Sequence, residues 1–321
     1  MKILALTFGD LNCASTYYRI LQYIEPLSIS GIEFDHFQAK YFDDYDSIQR
    51  YDYVILQKTI LSVGKVRRVA LLANRLIYDA DDRMWLAPFR EHSFFTRIRI
   101  LHRMRNIAKS AYLCTVANEI IAEDIRRFGG TAKVIPMALS GKLWHPRRLA
   151  NNKINIGWTG APVNLPYLEE ILPSVKAVLQ GFGNARFFIH CGKDPEWNDI
   201  EYSYIPFVPG NEPEIVRSFD IGLLPLPNNP FSDGKSPIKA LQYLASGVPV
   251  ICSKTLACEN LLKGQAVALF SENLTEWRTN LKILCQDSEY RKQFSSEGLK
   301  FFKKNYDLSE VSQQIIGLLQ N

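Results

Sequence analysis

The sequence predicts an α/β protein made of two domains, each built around a doubly wound parallel sheet. Short apolar runs alternate with helical patterns along almost the whole chain, which is the order expected for parallel strands joined by helices. The length of 321 residues is enough for two domains of ordinary size. A polar, proline-containing stretch at 140–153 lies near the middle. We interpret it as the linker between the domains.

The first domain, 1–145, contains six predicted strands, which are the apolar runs at 2–8, 32–37, 53–57, 76–78, 112–115 and 133–136. Ligands of doubly wound sheets bind beyond the carboxyl ends of the strands. That rule places Gly9, Gln57, Lys58 and the acidic run 79–82 at one edge of the first sheet.

The second domain, 146–306, contains six more predicted strands, at 154–158, 186–190, 203–208, 221–225, 248–252 and 266–270. Helical patterns follow at 212–218, 274–286 and 288–306, and a last amphipathic helix is predicted at 308–319.

Composition excludes several classes of protein. The six cysteines are scattered and form no pattern typical of zinc ligands or of a disulfide framework, so free thiols in a reducing cytoplasm are expected. No apolar run is long enough to span a membrane, and the first residues do not resemble a secretory signal. The net charge of +5 is carried by the first half of the chain, which suggests an anionic partner for that half.

The segment 233–252, DGKSPIKALQYLASGVPVIC, predicts a loop, a helix and a buried strand. We expect Ser236 to cap the helix, Pro237 to be its first residue and Gly247 to end it in a left-handed conformation. Gly234 and Lys235 also resemble the end of a phosphate-binding P-loop. The first glycine of that motif is missing, because Asn229 stands there, so a P-loop nucleotide hydrolase is only a minor alternative.

Two lysines at the start of this helix suggest an anion site. Lys235, Lys239 and Gln242 are spaced to share one helical stripe. A cation at a helix N-terminus is unfavourable by about 0.3–1 kcal/mol, which a bound phosphate would offset. The alternative is a solvated basic stripe on an ordinary surface helix.

Segment 90–109 is basic and amphipathic, with arginines interleaved among apolar residues. Such a segment suits an anionic membrane surface, and equally suits a helix that packs on the core and exposes a cationic face. No module that binds nucleic acids accompanies the charge, so a nucleic-acid partner is not expected.

Four stretches together, at 236–253, 155–171, 115–129 and 76–85, resemble the retaining nucleotide-sugar glycosyltransferases of the GT-B fold, in family 4 or "group 1". The resemblance implies two Rossmann-like domains facing across a cleft, with the donor held by the second and the acceptor by the first. It also implies that the last helix, 307–321, packs back onto the first domain. Members of this family generally need no metal, so neither a metal nor a cofactor is expected.

The resemblance carries over to the donor side residue by residue, with departures. The family has two acidic residues around the nucleotide helix, and Gly234 and Gln242 stand in their places, with Asp233 beside the first. An Arg/Lys pair that usually follows Gly160 is missing, so Lys235 and Lys239 are our candidates for the diphosphate and for catalysis. The predicted donor-binding residues are Gly9, Gly160, Asp233, Gly234, Ser236, Ile238 and Gln242.

On the acceptor side, the resemblance points to Arg19, Asp79 and Asp81, with Asp82 as a further catalytic candidate that contacts sugar hydroxyls. Helix capping is the alternative role of Asp82. The family's retaining chemistry needs cations and N–H dipoles at the departing phosphate rather than a pair of catalytic carboxylates.

The expected function is therefore transfer of a hexose from a nucleoside-diphosphate sugar to an acceptor hydroxyl, in the synthesis of cell-surface polysaccharide or glycolipid. The acceptor would be a glycan or a lipid-linked sugar, and the protein would be cytoplasmic or peripheral on the inner face of the plasma membrane. A catalytically silent subunit that binds nucleotide sugars is the main alternative, because Gly234, Gln242 and the missing Arg/Lys pair depart from the family pattern.

Overall fold

The computed structural model describes residues 1–10, 12–86, 92–146, 153–262 and 264–320. Their strands are β1 Lys2–Thr7, β2 Glu33–Gln38, β3 Tyr53–Gln57, β4 Leu76–Ala80, β5 Leu113–Val116, β6 Ala132–Val134, β7 Ile154–Gly160, β8 Ala185–Cys191, β9 Ser203–Pro206, β10 Ile221–Leu224, β11 Val250–Ser253 and β12 Ala268–Ser271. Each overlaps one of the apolar runs that the sequence analysis predicted as strands.

The helices are α1 Ala14–Arg19, α2 Ile24–Ile29, α3 Val63–Leu72, α4 Phe94–Ser110, α5 Glu119–Arg127, α6 Leu165–Glu169, α7 Leu172–Gly181, α8 Glu212–Val216, α9 Pro230–Asp233, α10 Ile238–Ala245, α11 Leu256–Leu262, α12 Leu274–Gln286, α13 Ser288–Asn305 and α14 Leu308–Gln320. Short 3₁₀ helices lie at Leu21–Tyr23, Tyr45–Arg50 and Pro162–Asn164. Among the described helices, none is long and apolar enough to cross a bilayer.

The strands form two six-stranded sheets, with orders β2-β1-β3-β4-β5-β6 and β12-β11-β10-β7-β8-β9, and the neighbouring strands are parallel. The predicted α/β class, with two Rossmann-like doubly wound sheets, is confirmed. In such sheets, ligands bind where the strand order reverses. The reversal lies between β1 and β3 in the first sheet and between β7 and β10 in the second.

Two compact units divide the chain. The first comprises Met1–Ala138, Asn229–Ser236 and Leu308–Asn321, and the second comprises Leu139–Asn228 and Pro237–Asp307. The loop Asn229–Ser236, which follows β10, groups with the first unit, although the sequence analysis placed it in the second domain. Part of the predicted linker, 147–152, lies outside the described residues.

Both faces of the first sheet are buried. One face packs on a cluster that includes Val66 of α3, Met104 of α4 and Ile121 of α5. The other packs on α2 and on α14, whose Val311 and Leu319 are buried. Each such side chain contributes about 1.5–3 kcal/mol when it is removed from water. The last helix is therefore part of the first unit's core.

The second sheet is likewise covered on both faces. A cluster on one side joins strand residues such as Ile156 and Phe187 to α7 and α12, including Val175 and Trp277. On the other side α10 packs against α13. The fully buried Tyr243 of α10 lies on this second face, against Gly222 of β10.

The loop before α10 differs from its prediction. Helix α10 begins at Ile238, because Pro237 takes a non-helical conformation with φ −72° and ψ 73°. Ser236 is therefore not the N-cap, and Lys235 does not share a helical stripe with Lys239. The extra helix α9 occupies the predicted loop, and Asn229 caps it by accepting a hydrogen bond from the Ser232 N–H at 2.9 Å.

The end of α10 follows its prediction. Gly247 takes the left-handed conformation, with φ 67°. The Val248 N–H donates to the Tyr243 carbonyl at 2.8 Å, which satisfies a carbonyl of the last turn. This cap fixes the angle at which the chain enters β11.

Candidate functional site

In the second unit, the sheet opens at its reversal point. Strands β7 and β10 pair through Gly157 and Gly222 but not beyond. The Tyr243 hydroxyl lies in the opening, where it accepts from the Thr159 N–H at 3.2 Å and donates to the Leu223 carbonyl at 3.2 Å. Burial raises the pKa of Tyr243, so it stays a neutral donor and acceptor. The Tyr243 hydroxyl thus bridges the ends of β7 and β10, where the two strands no longer form hydrogen bonds with each other.

Gly160 ends β7 at this opening. A Cβ atom there would lie 2.3 Å from Cζ2 of Trp158, so only glycine fits. Glycine at this position therefore leaves room for the Trp158 ring at the end of β7. The donor role of Gly160 stays a prediction.

The ion pair at the start of α10 contains one of the two predicted lysines. Lys239 Nζ lies 2.5 Å from Glu212 Oε1, and the side chains are 25% and 20% exposed. Nearby, His190 is buried between the Thr159 hydroxyl, 2.9 Å from Nδ1, and Asn211 Oδ1, 3.0 Å from Nε2. Burial lowers the pKa of His190, so the imidazole is neutral near pH 7. The positive charge here therefore belongs to Lys239, and a carboxylate already holds it.

Of the remaining predicted donor residues, Gln242 is 1% exposed on α10, and Ile238 is half-buried at the start of that helix. Asp233 and Ser236 are half-buried in the loop that groups with the first unit. Lys239 and Gln242 are thus brought together on one helix, whereas Lys235 is not.

Gly234 has a physical reason to be glycine. A Cβ atom there would lie 2.3 Å from Cδ of Arg83. Arg83 is fixed in that place, because its Nε donates to Asp124 Oδ2 at 2.7 Å and its Nη1 donates to the Pro230 carbonyl at 2.6 Å. The space beside Gly234 is therefore occupied by the aliphatic part of the Arg83 side chain.

Asn118 fastens the same loop. Its Oδ1 accepts from the Ile121 N–H at 3.1 Å, which caps α5. Its Nδ2 donates to the carbonyls of Gly234, at 2.9 Å, and Lys235, at 3.3 Å. One side chain thus caps a helix and holds the loop that carries the predicted cation. The P-loop alternative is not supported, because α9 and these contacts replace the open phosphate-binding loop.

Lys235 itself is half-buried, with Nζ 5.5 Å from the centroid of the Phe231 ring. Burial lowers the pKa of Lys235, and Lys58 adds to the shift while Asp82 opposes it. Within the described part of the chain, no carboxylate lies at ion-pair distance from its ammonium group. Lys235 is therefore a cation that a ligand can still neutralise.

At the carboxyl edge of the first sheet, Arg19 and Asp79 form a buried, bidentate ion pair. Arg19 Nε lies 3.0 Å from Asp79 Oδ1, and Nη2 lies 2.5 Å from Oδ2. Nη1 also donates to the Ile135 carbonyl at 2.6 Å, and the Thr115 hydroxyl donates to Asp79 at 2.7 Å. Burial opposes the guanidinium charge, but Asp79 outweighs it and raises the pKa of Arg19. Both groups are satisfied inside the unit.

Next to this pair lies a second cluster, centred on Lys58. Its ammonium is 3.1 Å from Asp81 Oδ1 and 2.5 Å from Asp82 Oδ2. Burial opposes its charge, but the two carboxylates raise the pKa of Lys58. The Ser15 hydroxyl donates to Asp81 Oδ2 at 2.6 Å. The cluster therefore holds two carboxylates around one ammonium group at this edge, and Asp82 is the more exposed of the two.

Lys58 has a left-handed backbone with φ 53°, a conformation that is uncommon for residues other than glycine. Strain of this kind costs about 1–3 kcal/mol and is often found at functional sites. Asp82 caps no helix in the described structure, so the helix-capping alternative is not supported.

Gly9 follows β1 at the same edge. A Cβ atom there would lie 2.4 Å from Cβ of Cys13, and the Gly9 N–H donates to the Thr16 hydroxyl at 3.2 Å. The close approach of α1 therefore requires glycine. The loop continues through Leu11, which lies outside the described residues.

Several residues of these sites were not among the predicted site residues, and they include Lys58, Arg83, Asn118, Glu212 and Tyr243. The sequence analysis placed Lys58 at the ligand-binding edge but gave it no role. The contacts of Arg83 and Asn118 with the loop Asn229–Ser236 have no local signal, because these partners are more than a hundred residues away in the chain.

A separate cavity of about 540 Å³ opens at the ends of β10, β11 and β12 in the second unit. None of the predicted donor-binding residues lines it. Its charged lining residues are Glu170, Glu259, Glu272 and Lys254, and Lys254 pairs with Glu272. An acidic lining does not suit a diphosphate, so this cavity is not our candidate donor site.

Comparison with solved structures identifies the fold. Anabaena Alr3699/HepE, crystallised with UDP and glucose, aligns over 100% of both chains with a TM-score of 0.76 and 13% identity. The chain has the GT-B fold. A glycosyltransferase from Rickettsia africae aligns over 99% of this chain and 97% of its own, with a TM-score of 0.73 and 9% identity. The E. coli trehalose-6-phosphate protein bound to UDP-2-fluoro glucose aligns over 100% of this chain and 99% of its own, with a TM-score of 0.66 and 13% identity. No family model and no curated protein matches the sequence.

Proposed function

We propose that this chain is a retaining glycosyltransferase that moves a hexose from a nucleoside-diphosphate sugar to an acceptor hydroxyl. The observation that carries the proposal is the GT-B fold over the whole chain, because several of the matched structures hold UDP, UDP-glucose or UDP-2-fluoro glucose. Family 4 membership rests on the four matching sequence stretches. A role in cell-surface glycan or glycolipid synthesis is part of the proposal.

The donor binds at the carboxyl edge of the second sheet, where β7 and β10 part. Gly160 contacts the donor through its backbone there, and Lys239 exchanges Glu212 for the diphosphate. Negative charge grows on the leaving phosphate as the glycosidic bond breaks, and a positioned cation lowers that barrier. The side-chain amide of Gln242 forms hydrogen bonds with the ribose hydroxyls.

Lys235 remains a proposed catalytic cation, because no described carboxylate neutralises it. Gly9 keeps its proposed role at the donor phosphates through its backbone. Gly234 offers only its backbone to the donor, since Arg83 fills the space beside it. The other proposed donor contacts are Asp233, Ser236 and Ile238.

The acceptor binds at the carboxyl edge of the first sheet. Asp81 and Asp82, both paired with Lys58, accept hydrogen bonds from its hydroxyls. Arg19 and Asp79 position this edge without contacting the sugar, because each is already buried and paired.

The retaining stereochemistry is tested by determining the anomeric configuration of the product by NMR. An inverted product would contradict it.

An anionic membrane surface is the proposed site of action, through helix α4. Its first turns expose apolar side chains, with Phe94 71%, Phe95 82% and Ile98 51% exposed, among arginines such as Arg97 and Arg99. This composition is typical of helices that lie in a membrane interface. Two residues of the predicted segment, 90 and 91, lie outside the described residues.

Liposome co-sedimentation tests the membrane proposal. Phe94→Ser combined with Phe95→Ser should abolish binding to anionic vesicles. Ile29→Ser is the matched control, since Ile29 is 82% exposed on α2 and should be neutral. Unchanged co-sedimentation of the double variant would contradict the proposal.

A panel of UDP-, GDP- and other nucleotide sugars tests the central proposal. The protein should be stabilised by one class of donor in a thermal-shift assay, and that donor should be hydrolysed or transferred without added metal. A protein that none of the donors stabilises, and that turns none over, would contradict it.

One observation favours the alternative of a catalytically silent nucleotide-sugar subunit: Lys239 is already neutralised by Glu212. Calorimetric binding of a donor with no turnover, in the presence of varied acceptors, would favour this alternative. Turnover that is lost in Lys239→Ala would exclude it.

A further inference from the structure

A cavity of about 470 Å³ in the first unit lies outside the sites described above. We call it the β2–α3 cavity, and its lining residues are Lys40, Tyr41, Phe42, Asp43, Tyr45, Gly64, Lys65 and Arg68. Its volume is within the range of pockets that take small molecules.

The lining is cationic. Lys40, Lys65 and Arg68 face only one lining carboxylate, that of Asp43. Among the residues that the structure describes, no carboxylate lies at ion-pair distance from any of the three. The cavity therefore offers three cations to an anion, and the planar guanidinium of Arg68 can bind a carboxylate or a phosphate through two parallel hydrogen bonds.

Aromatic rings hold two of these cations in place. Lys40 Nζ lies 4.4 Å from the centroid of the Tyr41 ring, and Arg68 Cζ lies 4.3 Å from that of Tyr45. Phe42 packs against Tyr45 at a centroid distance of 5.8 Å, so the wall behind the cations is aromatic. Tyr41 remains 72% exposed. Such a wall can cover the apolar C–H face of a sugar ring while its hydroxyls stay in water.

The cavity lies at the same edge of the first sheet as the proposed acceptor site. Strand β2 pairs with β1, and just beyond them the Ala39 N–H donates to the Thr7 carbonyl at 2.8 Å. Lys40 is the next residue, and Gly9 is two residues beyond Thr7. Helix α3 in turn follows β3, the strand that ends beside Lys58. A glycan that places a hydroxyl near Asp82 can extend along this edge.

We infer that the β2–α3 cavity binds an anionic saccharide, with its carboxylate or phosphate on Lys40, Lys65 and Arg68 and a sugar ring on Tyr41. That this saccharide is the acceptor rests on the proposed function, whereas its binding to the cavity does not. A uronic acid and a phosphorylated sugar share the chemistry that the cavity recognises.

Calorimetric titration of the full chain, without any nucleotide, tests the inference. The probe is a tetrasaccharide of alternating glucuronic acid and glucose, and its carboxyl-reduced form is the neutral control. A phosphorylated glucose tetrasaccharide forms a separate arm. One charged probe should bind at least about tenfold more tightly than the neutral one, and the arm that binds identifies the anion. Rising salt should weaken that binding.

Lys40→Gln combined with Lys65→Gln should weaken the binding about tenfold, because each exposed ion pair contributes about threefold. Arg67→Gln is the matched control, since Arg67 is exposed on α3 but does not line the cavity. Equal binding of charged and neutral probes, no binding of either charged probe, or an equal loss in Arg67→Gln would overturn the inference.

The nucleotide-sugar panel, run on the same preparations, separates this inference from the proposed function. Saccharide binding without any donor binding would support the cavity assignment and contradict the transferase proposal. The reverse result would remove the anionic subsite alone.

Discussion

The ligand-binding edges of the two sheets differ in how their charges are held. At the first edge, Arg19–Asp79 is a buried pair and Lys58 is almost enclosed with two carboxylates. At the second edge the buried Tyr243 and His190 are neutral, and the Lys239–Glu212 ion pair is partly exposed. The first edge can thus accept hydrogen bonds from hydroxyl groups. At the second edge, a diphosphate can displace Glu212 from Lys239.

Removing one partner from each ion pair should give the largest contrast. Asp79→Ala leaves a buried guanidinium without its counterion and should cost about 3–5 kcal/mol of the free energy of unfolding. Glu212→Ala removes a partly exposed partner and should cost at most about 1 kcal/mol. Urea unfolding of both variants measures this difference. Equal losses would show that the two edges do not differ in this way.

Removing the ammonium group of Lys239 should affect catalysis rather than stability. Lys239→Ala should lower kcat for sugar transfer about 100-fold, the typical loss for a group that stabilises developing charge. The matched control is Lys254→Ala, because Lys254 also pairs with a glutamate, Glu272, and lies just beyond β11 of the same sheet. Steady-state kinetics should show near-normal kcat for the control. A similar loss in both variants would contradict a specific role for Lys239.

The close approach of Arg83 to Gly234, in the loop that carries Lys235, can be tested by substitution. Gly234→Ala should cost about 1–3 kcal/mol, because the added Cβ overlaps a fixed Arg83 side chain. In the double variant with Arg83→Ala, most of that added cost should disappear. A double-mutant cycle by thermal unfolding measures the coupling, and additive losses would show that the two residues do not compete for space.

The smallest expected effect is a pH dependence that belongs to the second edge. Burial lowers the pKa of His190 below its usual 6.5, so the unfolded chain binds the proton more readily than the folded one. The contribution of His190 to stability is therefore complete above pH 6.5 and is lost as the pH falls below it. Unfolding measured from pH 7.5 to 5 should show a shallower slope in His190→Gln than in the wild type. An unchanged slope would contradict this assignment.

Much of the fold follows from local signals in the sequence. The strands are buried apolar runs, and Gly247 had to be left-handed because a strand follows α10 immediately. The edge containing Gly9 and Asp79–Asp82 follows from the general rule on strand ends. These features depend on residues that are close in the chain.

Apart from the start of α10, what the sequence did not predict depends on distant contacts. The start of α10 at Ile238 reflects the conformation of Pro237, and the assignment of Lys235 to the first unit depends on Asn118. Likewise, glycine at 234 is explained only by Arg83, whose other contacts are Asp124 and Pro230. Helical spacing alone placed Lys235 and Lys239 on one stripe, and the proline between them makes that interpretation wrong.

Photoaffinity labelling tests most directly where the donor binds. The base-azido derivative of the nucleotide sugar that stabilises the protein would be cross-linked, and the labelled peptides mapped by mass spectrometry. We expect labels in second-unit peptides that follow β7 or β8 or contain α10, and their loss in the presence of excess unlabelled donor. Labels confined to peptides lining the 540 Å³ cavity, such as 271–277, would contradict a donor site at the opening between β7 and β10.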